Sequence, residues 1–118
     1  MRPALFRCNL DGTGCTYTDI SAGQGPDTGF APSIVIDEAN AKLLVVTENR
    51  ASSSRPALFR CNLDGTGCSY ADISAGQGTG SGLSPSAVID KSTGDLLVVA
   101  TSRAVVPNGL GFYQVRLR

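Results

Sequence analysis

Residues Arg2 to Gly25 and Arg55 to Gly78 are the same at 22 of 24 positions, differing only at Thr16/Ser69 and Thr18/Ala71. The offset of 53 residues then persists through looser similarity: PSIVID (Pro32–Asp37) returns as PSAVID (Pro85–Asp90), and LLVV at Leu43–Val46 returns at Leu96–Val99. A fixed offset of this length predicts a repeat architecture, in which each unit buries its apolar surface against the next. We divide the chain, read as a single β-repeat domain, into repeats over 2–54 and 55–107 and a partial third over 108–118. In the third, Phe112–Leu117 lies over Leu58–Leu63 once one inserted residue is allowed. Tyr113, Val115 and Leu117 then take the places of Phe59, Cys61 and Leu63.

Each repeat offers four strand candidates and no helix, because Gly, Pro, Ser, Asn and Asp clusters interrupt every apolar run. Residues 4–10 alternate, with Phe6, Cys8 and Leu10 opposite Arg7 and Asn9, and residues 15–20 alternate likewise. Those are half-exposed strands. Residues 32–37 and 42–47 are continuous apolar runs, which predicts strands buried on both faces. With the buried pair labelled A and B and the alternating pair C and D, the nine strands read C-D, A-B-C-D, A-B-C. The expected fold class is all-β.

Asn9-Leu10-Asp11-Gly12-Thr13-Gly14 joins two alternating strands, and Asp-Gly is a strong hairpin signal. A turn centred on Asp11–Gly12 sets Cys8 opposite Cys15 and Phe6 opposite Tyr17. A four-residue loop, Leu10–Thr13, makes the cysteines a close, non-hydrogen-bonded pair and is preferred over a two-residue loop. Disulfides Cys8–Cys15 and Cys61–Cys68 are the leading reading, and the partial repeat, which has no partner strand D, carries Val115 instead of a cysteine. Reduced, packed thiols are the alternative. A metal site is the weakest reading, since this spacing is unusual for zinc and the chain has no histidine.

The net charge is zero, which gives no electrostatic reason to expect nucleic acid as a partner. No apolar run approaches membrane-span length, so no membrane span is expected. The chain opens at the edge of a repeat, as an excised piece does, so the missing apolar leader does not decide the compartment. Disulfides would place it in an oxidising one: extracellular, periplasmic or cell-surface.

The succession PSxVID, LLVV and LFRCNLDGT resembles bacterial β-propeller repeats with four-stranded blades. The chain has no tryptophan, hence no Trp-Asp signature, and no Gly-Gly pair of the kelch type. Sialidase-type propellers carry a Ser-x-Asp-x-Gly-x-Thr-Trp box in the outer hairpin, from which Asn9–Gly14 departs in its glycine position and missing tryptophan. The resemblance implies propeller-type blades, and two repeats need further copies to close a ring, so a homo-oligomer or a larger repeat array is expected.

Candidate contact residues are Gln24 and Gln77, in the loops that follow strand D, and Arg50 and Arg103, in the B–C loops. Asp11, Asp64, Asp37 and Asp90 read as turn-forming aspartates rather than calcium ligands. Without histidine, paired buried carboxylates or an activated cysteine, an enzyme is the less favoured class, and neither catalytic residue, metal nor cofactor is expected. The leading expectation is a non-catalytic binding or scaffold module for a glycan or protein. A propeller-type hydrolase or lyase, and a structural repeat without activity of its own, are the alternatives.

Overall fold

In a computed structural model, residues 1–103 are described in full and 109–116 by their backbone. The all-β expectation holds. The strands are β1 (Ala4–Arg7), β2 (Thr16–Asp19), β3 (Phe30–Asp37), β4 (Lys42–Asn49), β5 (Arg55–Asn62), β6 (Ser69–Asp72), β7 (Leu83–Asp90), β8 (Asp95–Ser102) and β9 (Gly109–Arg116). They form antiparallel sheets of two (β1-β2), four (β3-β4-β5-β6) and three strands (β7-β8-β9). The one helical element among the described residues is a short 3-10 turn at Arg50–Ser52, where the Asn49 side chain accepts from the Ser52 amide.

Register follows the offset of the sequence. Leu43 faces Cys61 and Val45 faces Phe59 across β4–β5. Leu96 faces Val115 and Val98 faces Tyr113 across β8–β9. Val115 therefore stands where a cysteine stands in the other two copies; Leu117 lies outside the described residues. A bulge recurs too. The register of β3 shifts between Phe30 and Ser33, and that of β7 between Leu83 and Ser86. Ala31 and Ser84 carry the positive φ that each bulge requires.

The sheets stack face to face, and period-2 alternation sorts the side chains between two cores. Leu44, Val46 and Leu58 leave the four-stranded sheet on one side and pack with Leu96, Val98 and Ala100 of β8. Leu43, Val45, Ala57, Phe59 and Cys61 leave it on the other and pack with Ile20 and Leu5. Glycines allow close approaches between neighbouring sheets. A Cβ on Gly29 would lie 2.3 Å from the Pro3 nitrogen, and one on Gly82 2.1 Å from the Pro56 nitrogen. The Gly29 amide donates to the Met1 carbonyl and the Gly82 amide to the Ser54 carbonyl.

Burial departs from the expected gradient in two places. β3 was expected to be buried on both faces, but Ile34 and Ile36 are 56% and 55% exposed. They share the face of the four-stranded sheet that the two-stranded sheet covers, and β1–β2 is too narrow to reach β3. Conversely, β5 was expected to be half-exposed, yet Ala57, Leu58, Phe59 and Cys61 are all buried. A sheet lies against each of its faces.

Candidate functional site

The hairpin loop is shorter than expected. The Gly12 amide donates to the Asn9 carbonyl at 2.9 Å, and the Asn9 amide to the Thr13 carbonyl at 2.8 Å. These bonds close a three-residue loop, Leu10–Gly12, with Gly12 at φ +86°. Gly14, at φ +64°, is then an extra residue that restores the pairing beyond it. Local chemistry selects this loop. The Asp11 carboxylate accepts the Thr13 hydroxyl at 2.6 Å and the Thr13 amide at 3.0 Å. Those two bonds, the hydroxyl's foremost, hold the Asp11 carboxyl below its ordinary pKa. Asp64 and Thr66 repeat the arrangement in the second copy.

Both cysteine pairs are bridged, Cys8–Cys15 and Cys61–Cys68, each with a Cα separation of 4.0 Å. That separation fits the close, non-hydrogen-bonded pair anticipated from the register, although the loop that delivers it differs. Phe6 stacks edge-on against Tyr17 at 5.4 Å beside the first bridge, and Phe59 lies tilted against Tyr70 at 5.5 Å beside the second.

A cleft with a polar lining lies where the two copies meet. It has a volume of about 560 Å³ and is walled by the Asp19–Gln24 segment of the first copy and the Gly65–Cys68 segment of the second, with Arg2 at its margin. Arg7 ties the walls together by donating from its guanidinium to the Leu63 carbonyl. Gly65 meets the opposite wall: a Cβ there would lie 3.3 Å from Thr18 Cβ, and 2.9 Å from Leu5 Cδ2 behind it. Within the cleft the Asp19 carboxylate accepts the Ser21 amide at 2.9 Å and lies 3.7 Å from the Arg2 guanidinium. Hydrogen bonds from Ser21 chiefly, with the Arg2 charge as a minor contributor, hold the Asp19 carboxyl below its ordinary pKa. It is therefore an acceptor at neutral pH.

Of the sequence candidates, Gln24 lines this cleft. It is half-buried, and its amide donates to the Ser21 carbonyl across the turn. Gln77 makes the same turn with Ser74 but is exposed. Arg50 is engaged within the fold: its Nε donates to the Glu48 carboxylate at 2.8 Å, and its guanidinium lies 3.8 Å from the centroid of the Phe30 ring. The Arg103 amide donates to the Gly80 carbonyl, and the residue is exposed. The structure thus brings none of these four residues together.

Arg2, Asp19 and Thr66 were not singled out by sequence reasoning. No linear window shows them, because the cleft joins a loop of one copy to a hairpin of the next. Asp37 and Asp90 act as turn residues, accepting from Asn40 and from Ser92 respectively. Among the described residues no group of three or more His, Cys, Asp or Glu is placed to hold a metal ion, and no helix is long and apolar enough to cross a membrane. No protein-family model matches the chain, and no curated protein or solved structure is significantly similar to it.

Proposed function

We propose that this chain is a non-catalytic binding module whose stacked sheets are blades of a propeller-type array, and that its ligand is a glycan. One observation carries the reading: the inter-copy cleft offers closely spaced donors and acceptors on a largely backbone-fixed frame. Arg2, Asp19, Ser21, Gln24 and Thr66 supply a cation, an anion, two hydroxyls and an amide. A hydroxyl-rich ligand matches such mixed donors and acceptors better than an apolar one does. The blade reading draws support from the β3-β4-β5-β6 order and from the repeated face-to-face stacking. The two disulfides suit an oxidising compartment and support an extracellular, periplasmic or surface setting. A hydrolase or lyase would want a second carboxylate near the first, and among the described residues the cleft lining holds only Asp19.

A glycan array probed with the full chain tests the proposal. Binding that falls at least tenfold in Gln24→Ala and in Asp19→Asn supports it. Binding that survives both changes, or no binding to any glycan, overturns it.

A further inference from the structure

We infer that the free edge of β1 is a docking site for a second copy of this chain, whose β8 pairs along β1 and whose β7–β8 face covers Ile34 and Ile36. The inference does not depend on the ligand assigned to the cleft.

The argument begins with identity. β1 lies within Arg2–Asn9, which reads RPALFRCN, and β5 is the same eight residues at Arg55–Asn62. β5 is paired on both sides, to β4 and β6, whereas among the described residues β1 pairs with β2 alone. The open side can be assigned. The Ile20 amide donates to the Pro3 carbonyl, so Pro3 and, by alternation, Leu5 and Arg7 direct their backbone groups toward β2. Ala4, Phe6 and Cys8 direct theirs to the open edge. The equivalent groups of β5 are taken up by β4 in the register Leu43↔Cys61, Val45↔Phe59, Thr47↔Ala57.

The offset of 53 converts that pairing into one between copies: Leu96↔Cys8, Val98↔Phe6, Ala100↔Ala4. β8 is the matching strand, since Leu96–Val99 repeats Leu43–Val46. Within one chain the edge of β8 is taken by β9, with Leu96 opposite Val115. β9 shares strand pattern with β5 but not its residues, so it stands in for the sequence that β8 otherwise meets. Docking exchanges β9 for β1 of the second copy.

The faces agree with the edges. Val88 is 58% exposed and Val99 is also exposed, on the side of the three-stranded sheet away from the four-stranded one. Their counterparts one repeat earlier are Val35 and Val46. Those pack in one core with Ala87, Ile89, Leu96 and Val98. Shifted back by one repeat, Ala87 and Ile89 become Ile34 and Ile36, the pair left uncovered on β3. The chain thus carries both halves of a contact that it already makes once internally. A groove lined by Leu5, Phe6, Ile20 and Ile34 runs beside β1 at the place where the incoming strand would lie.

Size-exclusion chromatography with light scattering on the full chain tests this across a range of concentrations. The wild type is expected to associate as concentration rises. Ala4→Pro removes an edge-facing amide without touching the β1–β2 ladder, and should raise the apparent dissociation constant roughly a hundredfold or more. An intact Cys8–Cys15 bridge and unchanged far-ultraviolet circular dichroism show that this variant is folded. In the Ala4→Cys/Ala100→Cys double variant, mild oxidation should yield covalent chains linked between residues 4 and 100, identified by peptide mapping. A wild type that stays monomeric at every concentration overturns the inference. So does association undiminished by Ala4→Pro, which would mean another occupant or contact, and so does failure of the 4–100 link to form.

Discussion

The β1–β2 and β5–β6 hairpins are almost the same peptide in two surroundings. Each has a three-residue loop, an aspartate–threonine clamp, a disulfide and an aromatic pair at matching positions. Phe6 is 66% exposed, whereas Phe59 is fully buried. Cys8 and Cys15 are exposed; Cys61 is buried and Cys68 partly so. Identical sequence fixes turn, register and bridge in both, since those depend on contacts within the hairpin. Burial depends on what lies against the hairpin, and only the second copy has β4 beside it and β1–β2 over its aromatic face. Tertiary packing energy is therefore distributed unequally between two segments that no local measure separates.

Paired substitutions can break or sharpen this contrast. The largest difference is expected at the aromatic position. Phe59→Ala should cost about 3–5 kcal/mol in denaturant unfolding, and Phe6→Ala in dilute solution about 0.5 kcal/mol. Equal losses would mean that the outer face of β1–β2 is covered in solution. The hairpin glycines come next. Gly12 and Gly65 have φ of +86° and +87°, so alanine is strained at both, but only at Gly65 would a Cβ press on Leu5 and Thr18. Gly12→Ala should cost about 1 kcal/mol and Gly65→Ala about 1–3 kcal/mol more. Identical costs would remove the inter-sheet contact.

Replacing Cys8 and Cys15 together by alanine should cost about 2 kcal/mol, as expected for a short closed loop. The same change at Cys61 and Cys68 should cost somewhat more, because the buried Cys61 sulfur also contributes packing. Thermal melts of both double variants would separate the two contributions. The smallest and most nearly equal effects belong to the turn aspartates. Hydrogen bonds from Thr13 and Thr66 lower the pKa values of Asp11 and Asp64 from 3.8. A depressed folded pKa contributes stability that is present above the unfolded value and lost as pH falls through the folded one. Each carboxylate thus stabilises the fold at neutral pH, and that contribution fades only as pH falls below the unfolded value of 3.8 and through the lower folded one. Asp11→Asn and Asp64→Asn should each flatten the acid limb of the stability profile to a similar extent; a much larger change for one would show that the hairpin turns are not equivalent.

Much of the fold was legible because its determinants are local. Asp-Gly between alternating runs marked the hairpin, and the register placed Cys8 opposite Cys15. The loop length was misjudged because Gly14 adds a residue that a symmetric hairpin does not contain. The exposure of Ile34 and Ile36 was hidden for another reason: an apolar run on β3 calls for a cover, but the residues do not state whether the neighbouring sheet is wide enough to provide it. The cleft was half legible. Gln24 lies on a loop that the repeat made conspicuous, whereas Arg2, Asp19 and Thr66 meet it only after two copies stack.

Gly29 and Gly82 add a constraint on how such a chain can lengthen. Each seats its backbone against the proline at the start of the preceding C strand, at a spacing that admits no methyl group. At both positions the main chains of neighbouring sheets therefore meet directly, beside the apolar side chains packed between them. A duplicated unit brings its own joint with it. The proline–glycine contact recurs at both positions although the face residues beside it differ, as Ile34 and Ala87 do.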